Sequence, residues 1–395
     1  MQEEKIVNRW KKRTALLMTG ICLISAAGQA RAAEADLLAD QIQQTASEGI
    51  RVAADISKGS LLDQEDLLPA GDSLSDWVAL TLALSGEKDA YSAYLARLET
   101  YVTEQYSEYG CLDDMRATEY HRIGLTVLAL GGDPTSFGKD ADQNPVDLVA
   151  DGVWNFAGGD PGVQGINGDI YALLLLDARD YEVPKEAVHT REYLVNEILS
   201  AQTADGGFGL SAGEADVDMT SMAVQALAPY EDQQKVRDAI EEALNWLSGQ
   251  MSENGTFTAY GEESAESSAQ AILALCAVGT DPAKDSRFFT PSGNTGLLDG
   301  LEHFRQEDGS YVHSDSDTGG NLMATEQALL ALEALEKLRA TGNGRIFDFT
   351  DYEEPQNAGT QIPVIGIAVI VVVLAAGGIV VINRKNSRKG KKEHV

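Results

Sequence analysis

The sequence predicts an all-α chain folded as an α6/α6 toroid, a closed ring of six inner and six outer helices, followed by one C-terminal transmembrane helix. Three observations predict it. Short apolar runs recur six times between residues 34 and 349, ending in leucines at 84, 130, 176, 227, 275 and 332. Polar, amphipathic segments alternate with them, and strand-like alternation is almost absent. A separate run of 21 uncharged residues, Ile362 to Ile382, stands near the end.

Residues 1–33 read as a signal peptide. Lys5, Arg9, Lys11, Lys12 and Arg13 precede an apolar stretch from Ala15 to Ala27, and Ala30-Arg31-Ala32 fits a small-residue cleavage site. The ring is expected over residues 34–349. Its apolar runs are Trp77 to Leu84, Ile123 to Leu130, Ile170 to Leu176, Met222 to Leu227, Ile272 to Leu275 and Leu329 to Leu332. The leucine spacings of 46, 46, 51, 48 and 57 residues lie in the range of helical repeats.

A more polar helix is expected before each run, as over Lys88 to Ser107, Lys185 to Gln202 and Asp232 to Gln250. In the last, Val236, Ile240, Ala243, Leu244 and Leu247 form one stripe. Gly-rich turns lead into the apolar helices, among them Tyr109-Gly110-Cys111 and Asn254-Gly255-Thr256-Phe257. Apolar helices must be buried and amphipathic ones must cover them. A ring of six pairs does this without distinct capping repeats.

Residues 350–361 read as a polar stalk, 362–382 as the membrane helix and 383–395 as a basic tail. At 1.5 Å per residue the apolar run reaches about 31 Å, enough for a hydrocarbon core. The charge agrees. The chain holds 30 Lys+Arg and 62 Asp+Glu, a formal net of −32. Residues 1–33 carry six basic and two acidic groups, and 383–395 carry six and one, so the segment between has a net of −41. Under the positive-inside rule the tail is cytoplasmic and the acidic ring outside, a single-pass protein of the cell membrane. Such a body excludes sequence-independent nucleic-acid binding, which needs clustered cations.

The turns Gln202-x-x-Asp205-Gly206-Gly207-Phe208 and Gln306-x-Asp308-Gly309-Ser310-Tyr311 resemble the glutamine–aromatic repeat of the prenyltransferase and squalene-oxidase family. The resemblance covers most of residues 70–335. It implies the α6/α6 toroid of triterpene cyclases, prenyltransferase β subunits and cobalamin carriers. With a leader and a terminal anchor, the chain is similar to bacterial surface proteins bearing these repeats.

Asp216-Val217-Asp218-Met219-Thr220-Ser221 resembles the D-x-D-D-T-A motif of class II terpene cyclases. The resemblance implies Asp218 as proton donor assisted by Asp216, but Met219 replaces the third aspartate. Asp218 also reads as a helix N-cap or as a ligand contact. Prenyltransferase zinc has no counterpart: Cys111 and Cys276 are the only mature thiols, and histidines 121, 189, 303 and 313 are scattered.

Nine residues before each leucine anchor stand Ser75, His121, Asn167, Asp218, Glu266 and Met323. Five of these six are polar, so the inner-helix N-termini should form a polar mouth. Tyr120, His121, Asn167, Asp169, Asp218, Glu266 and Gln270 are the candidate ligand-binding residues. The run from Asp315 to Glu326 has Asp315, Asp317 and Glu326 at calcium-loop positions 1, 3 and 12. Calcium is accordingly the one cofactor considered.

Cys111 and Cys276 fall in repeats on opposite sides of the ring, too far apart for a disulfide, and should be free. The expected function is a surface-anchored binding or interaction protein, its mouth taking a small hydrophobic or corrinoid-like ligand or a partner surface protein. A divergent terpene cyclase and a ligand-free structural module are the alternatives.

Overall fold

The computed structural model describes residues 36–358 except 211, 212 and 260. The expected signal peptide, membrane helix and basic tail lie outside these residues. Among the described residues no helix is long and apolar enough to cross a membrane.

Among the described residues twelve α-helices alternate between two layers. The outer ones are α1 (residues 36–53, with a π-helical turn at Thr45–Gly49), α3 (Tyr91–Tyr109), α5 (Leu148–Gly152), α7 (Arg191–Ser200), α9 (Gln234–Gln250) and α11 (Leu297–His303). The inner ones are α2 (Ser73–Leu84), α4 (Thr118–Ala129), α6 (Ile166–Ala178), α8 (Val217–Leu227), α10 (Ala265–Ala277) and α12 (Leu322–Thr341). Each inner helix packs on the next, and α12 packs on α2, so the ring closes. The one sheet among the described residues is an antiparallel hairpin, β1 (Phe257–Ala259) with β2 (Glu262–Ser264), leading into α10.

Sequence order and packing order differ in one respect. Each outer helix docks mainly on the inner helix before it, and α1 docks on α12. The first helix among the described residues therefore completes the last repeat. Gln44 of α1 donates to Glu307 O at 3.0 Å, and Gln41 donates to Glu302. Gly49 and Gly309 touch so closely that a Cβ on Gly49 would lie 2.2 Å from Gly309 O. Only glycine permits that approach.

The glutamine–aromatic turns do the same work elsewhere. Gln202 Nε2 donates to Gly206 O at 2.8 Å and to Ala239 O of α9 at 2.9 Å. Thr220 Oγ1 accepts from Phe208 N at 2.8 Å and donates to Asp216 O at 2.6 Å. Thr325 repeats this with Tyr311 N at 2.9 Å and Asn321 O at 2.7 Å. A threonine one turn into the inner helix thus stitches the preceding aromatic turn to it.

After α12, Gly342 adopts a left-handed conformation (φ 80°) and the chain turns back beneath the ring. Ile346, Phe347 and Phe349 are buried there. Phe349 N donates to Ala178 O at 2.8 Å, and Tyr352 OH donates to Ala83 O and Ala129 O at 3.2 and 3.0 Å. These carbonyls end α6, α2 and α4, so the three helices run in one direction and the strap closes their C-terminal end. The segment expected to be a stalk therefore begins as part of the fold, and the first compact unit runs to Gln356. Cys111 and Cys276 are free thiols, Cys276 buried, as expected.

Candidate functional site

The inner helices enclose an axial lumen of about 60 Å³. Its wall comes from five of the six: Trp77 of α2, Tyr171 of α6, Gln225 of α8, Gln270 and Leu273 of α10, and Glu326, Gln327 and Leu330 of α12. Phe347 of the strap forms its floor and also lines a second space of about 30 Å³ nearer the C-terminal end. Wider depressions, of about 540 and 570 Å³, lie outside the lumen, beside α1, α11 and α12 and beside the strap.

The lumen is polar as well as aromatic. Gln225 Nε2 donates to Gln270 Oε1, and Gln270 Nε2 to Gln327 Oε1, both at 3.1 Å, so three amides form a girdle across α8, α10 and α12. The Trp77 ring lies 5.8 Å from Tyr171 and 5.9 Å from Phe347. Glu326 is 3% exposed, and Thr81 Oγ1 donates to its Oε1 at 2.6 Å. Burial raises its pKa to about 7, with Glu266 adding repulsion.

Above the lumen stand the N-termini of the inner helices. Side chains cap four of them: Asp72 on α2, Asp216 on α8, Ser264 on α10 and Asn321 on α12. Asp216, not Asp218, is thus the cap of α8, its side chain accepting from Met219 N at 2.7 Å. Asp218 sits one step inside, with a buried Oδ1 that has no partner and a pKa raised by burial. Glu266 Oε2 lies 2.8 Å from His313 Nδ1.

The expected mouth residues divide. Asp218 and Glu266 both stand at the starts of neighbouring inner helices, where Glu266 helps to raise the Asp218 pKa, and Gln270 lies deeper, in the lumen wall. Asn167 is half-buried at the start of α6. Tyr120 and His121 do not reach a mouth: both are buried in the ring wall. The Tyr120 hydroxyl accepts from Leu112 N at 3.0 Å. His121 Nε2 lies 2.7 Å from Gly152 O, and burial lowers its pKa to about 4, so it is neutral. Asp169 is buried under the Pro161-Gly162 loop, its Oδ1 unpartnered and its pKa raised by burial to about 7.

The expected calcium set is not assembled. Glu326 turns into the lumen, Asp315 pairs with His303 at 2.8 Å, and Asp317 accepts from Ser314 N. Among the described residues no group of three His, Cys, Asp or Glu side chains can hold a metal ion. The loop matches the calcium spacing but leads into an inner helix, whose twelfth-position glutamate faces the axis.

Sequence reasoning missed Trp77, Tyr171, Gln225, Gln327 and Phe347 as site residues. A signal for three of the lumen side chains was present. Tyr171, Gln270 and Gln327 all stand five residues before their leucine anchors, one helical turn below the mouth row. Met222, at the same offset in α8, accepts a 3.3 Å hydrogen bond from Tyr171 OH at its Sδ. Phe347 carried no such signal, because it lies beyond the last repeat.

The chain is similar to three solved structures among others. The apo type II terpene cyclase MstE from Scytonema is 12% identical, over 76% of this chain and 99% of its own, with a TM-score of 0.47. The ent-copalyl diphosphate synthase from Streptomyces platensis is 17% identical, over 65% and 49%, at 0.44. A protein from Actinoplanes is 15% identical, over 68% and 90%, at 0.40. No curated protein matches the chain. Residues 170–280, from α6 to just beyond α10, match the family model of the prenyltransferase alpha-alpha toroid domain.

Proposed function

We propose that this chain is a binding protein whose toroid takes a small ligand at the axial lumen, held on the outer side of a membrane by residues 362–382. The size and lining of the lumen carry this reading. A space of about 60 Å³ accommodates about two water molecules, whereas drug-sized ligands occupy roughly 300–1,000 Å³. A prenyl chain or a corrinoid does not fit it. Three glutamines and a glutamate in the wall suit a polar ligand better than a hydrocarbon. The order of charges along the sequence supports the outward placement.

One observation favours the cyclase reading instead: Asp216 takes the helix cap and leaves Asp218 with an unpartnered buried oxygen and a raised pKa. Cyclisation at Asp218 requires Phe347 or the mouth loops to move aside for the substrate.

The test is mass spectrometry of small molecules released from the purified full chain, alongside an assay with polyprenyl substrates. A stoichiometric small polar molecule supports binding. A cyclised product that Asp218→Asn abolishes overturns binding in favour of the enzyme.

A further inference from the structure

We propose that the lumen is a site for a small ammonium ion, caged by Trp77, Tyr171 and Phe347 and neutralised by Glu326. The inference deepens the binding reading and rests on it.

Four observations combine. First, the Trp77 ring lies within 6 Å of both Tyr171 and Phe347, and all three line one cavity. Aromatic faces gathered in this way attract cations through the ring quadrupole, most strongly where water is excluded. Second, Glu326 is buried in the same wall, and Thr81 bonds only its Oε1. A buried carboxyl next to an aromatic cage can release its proton when a cation binds beside it and then serves as the counter-charge.

Third, the amide girdle offers directional partners. Gln270 and Gln327 are half-exposed although they belong to the wall of a buried lumen, so their accessible surface faces the cavity. Their carbonyl oxygens accept hydrogen bonds, which an ammonium donates. Fourth, no Lys or Arg lines the cavity, while Glu266 and Asp218 add negative charge toward the mouth. The acidic body of the chain draws cations toward that mouth.

The same features choose among cations. No group of three ligating side chains is available for a metal among the described residues. Small, strongly hydrated ions gain little from aromatic faces, whereas an ammonium with one carbon substituent presents both N–H donors and a soft apolar side. The volume, about two water molecules, admits an ion of two heavy atoms and rejects a bulky quaternary amine.

Methylammonium chloride is the probe, titrated into the purified full chain at constant ionic strength against sodium chloride. The expected result is a melting temperature raised by about 2–4 °C at saturating methylammonium. Glu326→Gln keeps the shape of the wall and abolishes the rise, and Trp77→Leu reduces it. A wild-type chain that responds equally to methylammonium and sodium overturns the proposal, as does a full response in Glu326→Gln. If methylammonium fails while mass spectrometry finds another stoichiometric small molecule, the ammonium assignment falls and the binding reading stands. If both fail, both fall.

Discussion

Phe347, from the strap that follows α12, sets its ring 5.9 Å from Trp77 on the first inner helix. The two ends of the ring's sequence thus meet on its axis. Phe347 lines both internal spaces, of about 60 and 30 Å³, and shares the wall between them with Gln225 and Leu273. Phe347→Ala should merge them into one cavity and destabilise the ring by about 3–5 kcal/mol, since buried phenylalanine leaves a void that packed helices fill poorly. Denaturant unfolding followed by far-ultraviolet circular dichroism measures it. A cost below about 1 kcal/mol would mean that the strap does not close the barrel in solution.

Stability should fall as pH rises from about 5 to about 8. Burial raises the pKa of Glu326 and Asp169 to about 7 and that of Glu333 to about 8. In the unfolded chain such groups titrate near 4. Across the window between, the folded state keeps three protons that the unfolded state has released, and stability drops with pH, opposed only below about pH 6.5 by the single neutral His121. Shifts of that size amount to about 3–5 kcal/mol per group at most. Asp113, Asp281 and Asp348, whose pKa values are lowered, lose their contribution only below about pH 4, outside the window. Glu326→Gln and Glu333→Gln should each flatten the slope, as read from urea midpoints at several pH values.

The ring was legible because burial imposes a period. Inner helices are apolar on nearly every side, and their leucine anchors recur at repeat length. The sequence did not reveal that α1 belongs to the last repeat, because hydrophobic patterning identifies helices and not the neighbours they choose. Gln41 and Gln44, which make that contact, look like ordinary surface residues. The site was half legible for a related reason. Asp218, Glu266, Gln270 and Glu326 stand out as polar residues in apolar surroundings. Trp77, Tyr171 and Phe347 look like core until the axis of the ring is known. His121 and Tyr120 misled because a polar side chain at a helix start can bond inward to backbone as readily as outward to a ligand.

Thr220→Val and Thr325→Val should each cost about 1–3 kcal/mol. Each threonine hydroxyl satisfies a buried aromatic N–H, of Phe208 or Tyr311. Valine keeps the shape and leaves that donor unpaired. The two losses should add, since the sites lie in different repeats. Unfolding of the single and double variants checks this, and serine at either position should restore most of the loss.

A thiol-reactive dye should modify Cys111 and leave Cys276 untouched in the folded protein. Cys276 is fully buried, and burial pushes its thiol far above the usual range, whereas Cys111 is half-exposed. Thiolate is the reacting form, so the buried thiol is doubly protected. Equal modification of both in native buffer would show that the C-terminal half of α10 opens.

Asp216 and Asp218 should separate cleanly. Asp216 caps α8 through Met219 N, so Asp216→Ala should destabilise by about 1 kcal/mol. Asp218 has a buried oxygen without a partner and stands beside Glu266, so its charge is a burden on the fold. Burial raises the Asp218 pKa, so Asp218→Asn, which removes the charge, should gain on the wild type in stability as pH rises. The comparison is made by urea unfolding at about pH 5 and about pH 8. If Asp218→Asn is the more damaging of the two at either pH, Asp218 is a structural group and loses its claim to a ligand or a proton.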